Sequence, residues 1–193
     1  MAIATKLSLT LLFLSYSTTI IFAAANDTGF VGKVDPKSLN LNKKRTLSHF
    51  RFYWHDILSG TNYTAATIVP ALPKYNTTSS FGMVNIIDNP LTVGPNLTSK
   101  TVGRAEGFYA LTSQSQATLL MVMNFALSEG KYNGSTITIV GRNVAYNEFK
   151  EMPVVGGSGV FKFATGYADA RTQFFDPETG DATTEYNVYV FHY

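Results

Sequence analysis

From Leu47 onward, apolar and polar residues alternate along the chain in short runs. Phe50, Phe52, Trp54 and Asp56 fall on one parity, and Arg51, Tyr53 and His55 on the other. A period of two is the signature of a strand, because successive side chains point to opposite faces. Comparable runs follow over Thr64–Val69, Phe81–Ile87, Val102–Leu111, Leu119–Leu127, Ser135–Gly141, Val160–Ala170 and Thr183–His192. Thr64–Val69 is rich in β-branched residues, and Pro70 and Pro73 end it. Leu119–Leu127 has the Leu and Met content of a helix, but its neighbours predict a strand. No window holds a long apolar period of 3.6. Turn residues separate the runs: Ser59-Gly60-Thr61-Asn62, Asp88-Asn89-Pro90, Glu129-Gly130-Lys131, Asn133-Gly134, Gly156-Gly157-Ser158-Gly159 and Asp176-Pro177-Glu178-Thr179-Gly180. About eight strands at this spacing predict an all-β domain, either a sandwich or a closed antiparallel barrel. An eight-stranded barrel is wide enough inside to hold one small ligand. The many Phe, Tyr and Met residues then either fill a core or line a cup for a flat aromatic molecule.

The chain before Leu47 reads differently. Lys6 precedes the apolar run Leu7–Phe22, and Ala23-Ala24-Ala25 follows it. This tripartite pattern predicts a secretory signal peptide over residues 1–25. Scattered Ser and Thr dilute the run too much for a membrane anchor, and no later stretch approaches the roughly 20 apolar residues of a span. Residues 26–46 are polar and irregular, with Gly29, Gly32 and Pro36, and read as a flexible N-terminal arm. Lys43-Lys44-Arg45 within it reads as a solvated lead-in, with a partner patch as the alternative. The domain proper is residues 47–193.

Composition removes several classes of function. The 193 residues hold 15 Lys plus Arg and 13 Asp plus Glu, a net charge of +2, which argues against an electrostatic nucleic-acid binder. Without Cys there is no disulfide framework, thiolate metal site or Cys nucleophile. Three His do not suggest a metal site. The G-x-S-x-G elbow, the P-loop and H-E-x-x-H are all missing, so no cofactor is expected. Gly156-Gly157-Ser158-Gly159 lacks the following helix of a phosphate loop and reads as a tight turn. Charged residues make up only 15% of the chain. Five Asn-x-Ser/Thr triplets, at Asn26, Asn62, Asn76, Asn96 and Asn133, are candidate glycosylation sites whose sugar would add polarity.

One polar residue sits on the wrong parity. Asp56 shares the face of Phe50, Phe52 and Trp54. In an apolar interior its carboxyl would have a raised pKa and could exchange a proton with a ligand. At a strand end it would instead cap the following turn. The pattern leaves both open.

Longer motifs carry a family resemblance. Phe50-Arg51-Phe52-Tyr53-Trp54-His55-Asp56-Ile57-Leu58-Ser59-Gly60 resembles the opening strand of plant dirigent proteins. So do Asp88-Asn89-Pro90-Leu91-Thr92, Val102-Gly103-Arg104-Ala105-Glu106-Gly107-Phe108-Tyr109 and Met152-Pro153-Val154-Val155-Gly156-Gly157-Ser158-Gly159-Val160-Phe161. The ending Glu185-Tyr186-Asn187-Val188-Tyr189-Val190-Phe191-His192-Tyr193 resembles a subgroup that finishes this way. The four motifs and this ending run in order from about Leu47 to Tyr193.

The resemblance implies an eight-stranded antiparallel up-and-down barrel with a central aromatic cavity. It implies a secreted, glycosylated homo-oligomer of the cell wall space, with a trimer foremost and a dimer as the alternative. It also implies an activity. A separate laccase or peroxidase makes phenoxy radicals from a monolignol, and the barrel holds the radicals, or the quinone methide they form, so that one enantiomer of a lignan results. No redox cofactor belongs to the barrel itself. Asp56 matches the family's first-strand acid and Tyr109 its strand aromatic, which implies catalytic roles for both. Asn143 and Lys150, with Trp54 and Phe52, are the implied substrate-binding residues. Two positions depart from the pinoresinol-forming pattern: Leu111 replaces a second aromatic, and Asn143 replaces a second acid. Arg142 has the opposite parity to Asn143. The same subgroup resembles pterocarpan synthases, which dehydrate an isoflavanol through a quinone methide. There Asp56 would protonate the leaving hydroxyl, helped by Tyr109.

Overall fold

The computed structural model describes residues 29–193. Residues 1–35 form one unit and residues 36–193 another. The signal peptide expected over residues 1–25, and Asn26, lie outside the described residues. Residues 29–35 carry no helix or strand.

The second unit contains nine strands: β1 Thr46–Asp56, β2 Ala65–Val69, β3 Val84–Thr92, β4 Thr101–Leu111, β5 Thr118–Leu127, β6 Thr136–Val144, β7 Phe149–Gly157, β8 Thr165–Phe175 and β9 Ala182–His192. They lie in the order β1-β9-β8-β7-β6-β5-β4-β3-β2, and every pairing is antiparallel. β1 also pairs with β3, through Tyr53 with Thr92 and Trp54 with Leu91. That contact closes β1 and β3–β9 into an eight-stranded barrel. β2 stays outside it as a short strand on β3.

The expected strand count is therefore met, but by a partly different set of strands. Thr64–Val69 is not a barrel strand, and β7 takes its place. The β7 sequence hides its period because its inward face begins with Lys150 and its outward face contains Pro153. The β6–β7 ladder is short, running over Ile137–Ile139. Pro153 follows just past its end, where a residue with no N–H costs no ladder bond. Asp88-Asn89-Pro90 is not a turn but the middle of β3, paired with Glu106, Ala105 and Arg104. On its other edge β3 meets β2 up to Ile87 and β1 from Leu91, so Pro90 sits in the gap between these partners. The run Val160–Ala170 begins as a 3-10 turn, Gly159–Phe161, and becomes a strand only at Thr165. Gly156 and Gly157 end β7, and the turn starts after them.

The inward faces pack one end of the barrel solid. Phe52, Phe125 and Tyr186 meet ring to ring, with centroids 4.9 Å (Phe52–Phe125), 5.4 Å (Phe125–Tyr186) and 6.1 Å (Phe52–Tyr186) apart. Beneath them Phe50, Tyr132, Phe161 and His192 form a second aromatic layer, and Ser48 bonds His192 Nε2 at 2.9 Å. On β4, Gly103 and Gly107 let the neighbouring strand approach: a Cβ at either would collide with a backbone carbonyl oxygen of β5, that of Ala126 or of Val122. Arg45 is docked rather than solvated, donating to Thr165 Oγ1 at 2.6 Å and to the Phe191 carbonyl at 2.9 Å.

Candidate active site

The other end of the barrel is hollow. A cavity of about 320 Å³ opens there, and the residue that decides its chemistry is the last one of β1. Asp56 continues the inward face of Phe52 and Trp54, reaches the cavity wall and is only 5% exposed. Of the two readings of Asp56, the inward one describes its position.

Two side chains hold the carboxyl, Asn89 of β3 and Tyr109 of β4, and Asn85 of β3 holds Tyr109. Asn89 Nδ2 donates to one oxygen at 2.9 Å, and the Tyr109 hydroxyl donates to the other at 2.9 Å. Asn85 Nδ2 donates to the Tyr109 oxygen at 2.7 Å. Tyr109 has one hydrogen to give, so Asn85 ensures that it points at Asp56. Burial pushes the Asp56 pKa up to about 6, against the pull of the bonds from Asn89 and Tyr109, and the charge of Asp181 adds to the rise. Burial and the neighbouring Asp56 also raise the pKa of Tyr109, which stays a neutral donor. The result is a carboxyl that still holds its proton in weakly acidic solution and can release it near neutrality.

The other expected residues fall on both sides of the cavity boundary. Trp54, Asn143 and Lys150 line it together with Asp56 and Tyr109. Phe52 does not, because it belongs to the packed aromatic layer beneath. Arg142 is absent from the lining, as its parity implies, while Asn143 faces in beside Leu119. Lys150, on β7, is 5% exposed and donates to Thr172 Oγ1 at 2.6 Å. Burial lowers its pKa. Among the described residues no carboxylate forms an ion pair with it. Tyr146 and Phe175 stand at the mouth, edge to face with centroids 6.3 Å apart.

His55 points to the outer face of the barrel. Thr92 gives its hydroxyl hydrogen to the Gly94 carbonyl at 2.7 Å, so His55 Nε2, 2.7 Å from Thr92 Oγ1, carries the proton. Nδ1 then accepts from Thr183. Burial lowers the His55 pKa and keeps the ring neutral. This histidine is structural and takes no part in the cavity.

Asn85 and Asn89 were not anticipated. Their signal was present as amides on the apolar parity of Asn85, Ile87, Asn89 and Leu91, but the Asp88-Asn89-Pro90 turn reading masked it. Asn62, Asn76, Asn96 and Asn133 are all exposed and lie in loops. Among the described residues no cluster of His, Cys, Asp or Glu is arranged to hold a metal ion.

The profile of the family described as Dirigent-like protein matches residues 47–191. The chain belongs to the dirigent family. Among its dirigent relatives, Dirigent protein 7 of Arabidopsis thaliana is 50% identical over 173 residues, covering 90% of this chain and 91% of that one. Pterocarpan synthase 1 of Glycyrrhiza echinata is 37% identical over 185 residues, covering 95% and 98%. A solved structure of a pterocarpan synthase dirigent protein superposes with a TM-score of 0.72 at 42% identity, covering 78% of this chain and 87% of that one. This dirigent barrel thus presents a buried acid, a buried lysine and an aromatic mouth around one cavity.

Proposed function

We propose that this dirigent protein is a dehydratase that forms a quinone methide from a phenolic alcohol and closes a ring within the same molecule. The observation that carries this reading is Asp56, protonated up to about pH 6 and held by Tyr109 and Asn89 at the wall of a cavity open at one end. Asp56 gives its proton to the leaving hydroxyl, the C–O bond breaks and water departs. A phenol para to the departing group supplies the electron pair and loses its proton to solvent through the open mouth, while the buried Lys150 ammonium stabilises the developing phenolate. A second hydroxyl of the substrate then attacks the quinone methide carbon. Its proton restores Asp56, and the phenolate takes a proton back from solvent. Orientation in the cavity fixes the face of attack. Two features support one substrate molecule over two. The cavity is at the small end of the ~300–1,000 Å³ typical of ligand sites. It also has Asn143 where a second acid would serve a second quinone methide.

A second reading keeps stereoselective radical coupling beside an external laccase or peroxidase. The exposed mouth aromatics Tyr146 and Phe175 favour it, since they extend the apolar surface beyond the cavity proper. Secretion, and a homo-oligomer, belong to either reading. The outward residues Ile86, Phe108 and Leu120 of β3, β4 and β5 supply an exposed apolar face suited to subunit contact.

The test is incubation with an isoflavanol and no oxidase, followed by chiral chromatography and mass spectrometry. Loss of one water and a single cyclised enantiomer is expected. Unchanged isoflavanol, together with an enantiomeric excess in laccase-driven coniferyl alcohol coupling, would transfer the assignment to the second reading.

A further inference from the structure

We propose that the first N-acetylglucosamine of a glycan on Asn96 seats in an outer recess against Phe174 and braces the β8–β9 hairpin from outside. This goes beyond the catalytic reading and does not depend on it. The recess holds about 440 Å³ and lies on the outside of the barrel. Asn96, Leu97 and Thr98, the whole acceptor triplet, line it. Phe174 lines it too and leaves 56% of its surface open. Asp181 and Thr183 add polar edges. A ring with an apolar C–H face and a polar N-acetyl group fits these mixed walls. The sugar bonds through C1 to the Asn96 amide nitrogen, which loses one proton as the lipid pyrophosphate of the donor leaves. Once attached it faces the recess at a tethered concentration in the millimolar range, so weak stacking is enough to hold it.

The hairpin needs an external support. β8 pairs with β7 only as far as Arg171 opposite Phe149. Its register with β9 breaks between Thr172 and Phe174. Beyond Arg171, therefore, β8 has β9 as its only strand partner, and two-stranded ribbons are marginal in water. The β9 side is anchored, because the Asp181 carboxylate accepts from Leu58 N, Ser59 N and Ser59 Oγ at 2.8, 3.0 and 2.6 Å. On the β8 side Thr172 accepts from Lys150 and Phe175 meets Tyr146 edge to face, while Phe174 between them makes no ring contact among the described residues. Successive strand residues face opposite ways, so Phe174 points to the recess while Phe175 points to the cavity. Asp56 and Ala182 border both spaces. A sugar held on Phe174 therefore fixes the position of Phe175 at the mouth.

The test uses full-length protein made through a secretory pathway, with site occupancy read by peptide mass spectrometry. Asn96 should be modified. Asn96→Gln and Phe174→Ala should each lower Tm by about 2–4 °C, and the double variant should melt no lower than either single one. Trimming every glycan to one N-acetylglucosamine should preserve the gap between wild type and Asn96→Gln. Hydrogen exchange should quicken at residues 172–175 in Asn96→Gln. An unmodified Asn96, additive losses in the double variant, or a gap that disappears on trimming to one sugar would each overturn the proposal.

Discussion

Below Trp54 the barrel interior is ring against ring: Phe52, Phe125 and Tyr186 interlock, with Phe50, Tyr132, Phe161 and His192 beneath them. Above Trp54, strands β1, β4, β6 and β7 turn Asp56, Tyr109, Asn143 and Lys150 toward the cavity. One half satisfies packing and leaves nothing reactive. The other keeps an acid that has lost water around it and a lysine with no ion-pair partner among the described residues, both of which burial penalises. The packed half supplies the stability that the hollow half spends on chemistry.

The strongest way to break this contrast is to hollow out the floor. Phe125→Ala removes a fully buried ring and should cost about 3–5 kcal/mol of unfolding free energy, measured by denaturant titration. A loss under 1 kcal/mol would mean the floor is not the part that holds the barrel together.

In the cavity, the change should appear in rate rather than stability. Asp56→Asn keeps shape but cannot donate the proton, so turnover should fall by about 10²–10⁴-fold with circular dichroism unchanged. Turnover within threefold of wild type would remove Asp56 from the mechanism. The pH profile sharpens the same point. An acid with a pKa of about 6 must be protonated to act, so kcat/KM of the wild type should decline as pH rises through about 6.

A third measurement separates the halves by their linkage to pH. The folded pKa of Asp56 lies above its unfolded value of 3.8, so the folded state holds the proton longer. Between about pH 4 and pH 6 the folded state binds more protons, and stability falls as pH climbs. Asp56→Asn should remove that fall. Its Tm relative to wild type should rise between pH 4 and pH 7 and then level off. Parallel curves would show that burial does not perturb the carboxyl.

The smallest effect is expected at Lys150. Lys150→Met keeps the length of the side chain and removes the charge. Thermal melting at pH 7 should shift upward by a degree or two, on the order of half a kcal/mol, while turnover drops. A lower Tm would indicate that the bond to Thr172 contributes more than the buried charge costs.

Much of this division was legible in the sequence. The parity of Phe50, Phe52, Trp54 and Asp56 places an acid among inward rings, and the turns mark most strand ends. β7 escaped because Lys150 and Pro153 break both of its faces. The amides that hold Asp56 escaped because Asp88-Asn89-Pro90 has the composition of a turn. Its status as strand is set by β4 alongside it, at positions no local window contains. Phe52 has the right parity for the cavity but lies one layer too deep. Parity gives the direction of a side chain and not its height along the barrel.

The barrel is closed by two residue pairs, Tyr53 with Thr92 and Trp54 with Leu91, and the acid stands two residues beyond Trp54. Its ligands Asn89 and Tyr109 come from across that junction, while β1 itself is held along its other edge by β9, with Thr46 opposite His192. A chain emerging from synthesis must therefore deliver β9 before β1 is paired along its full length. Pairing so distant along the sequence makes for slow folding. The cavity also needs Asn143 of β6 and Lys150 of β7, so the appearance of activity during refolding is a clock for assembly of the complete cavity.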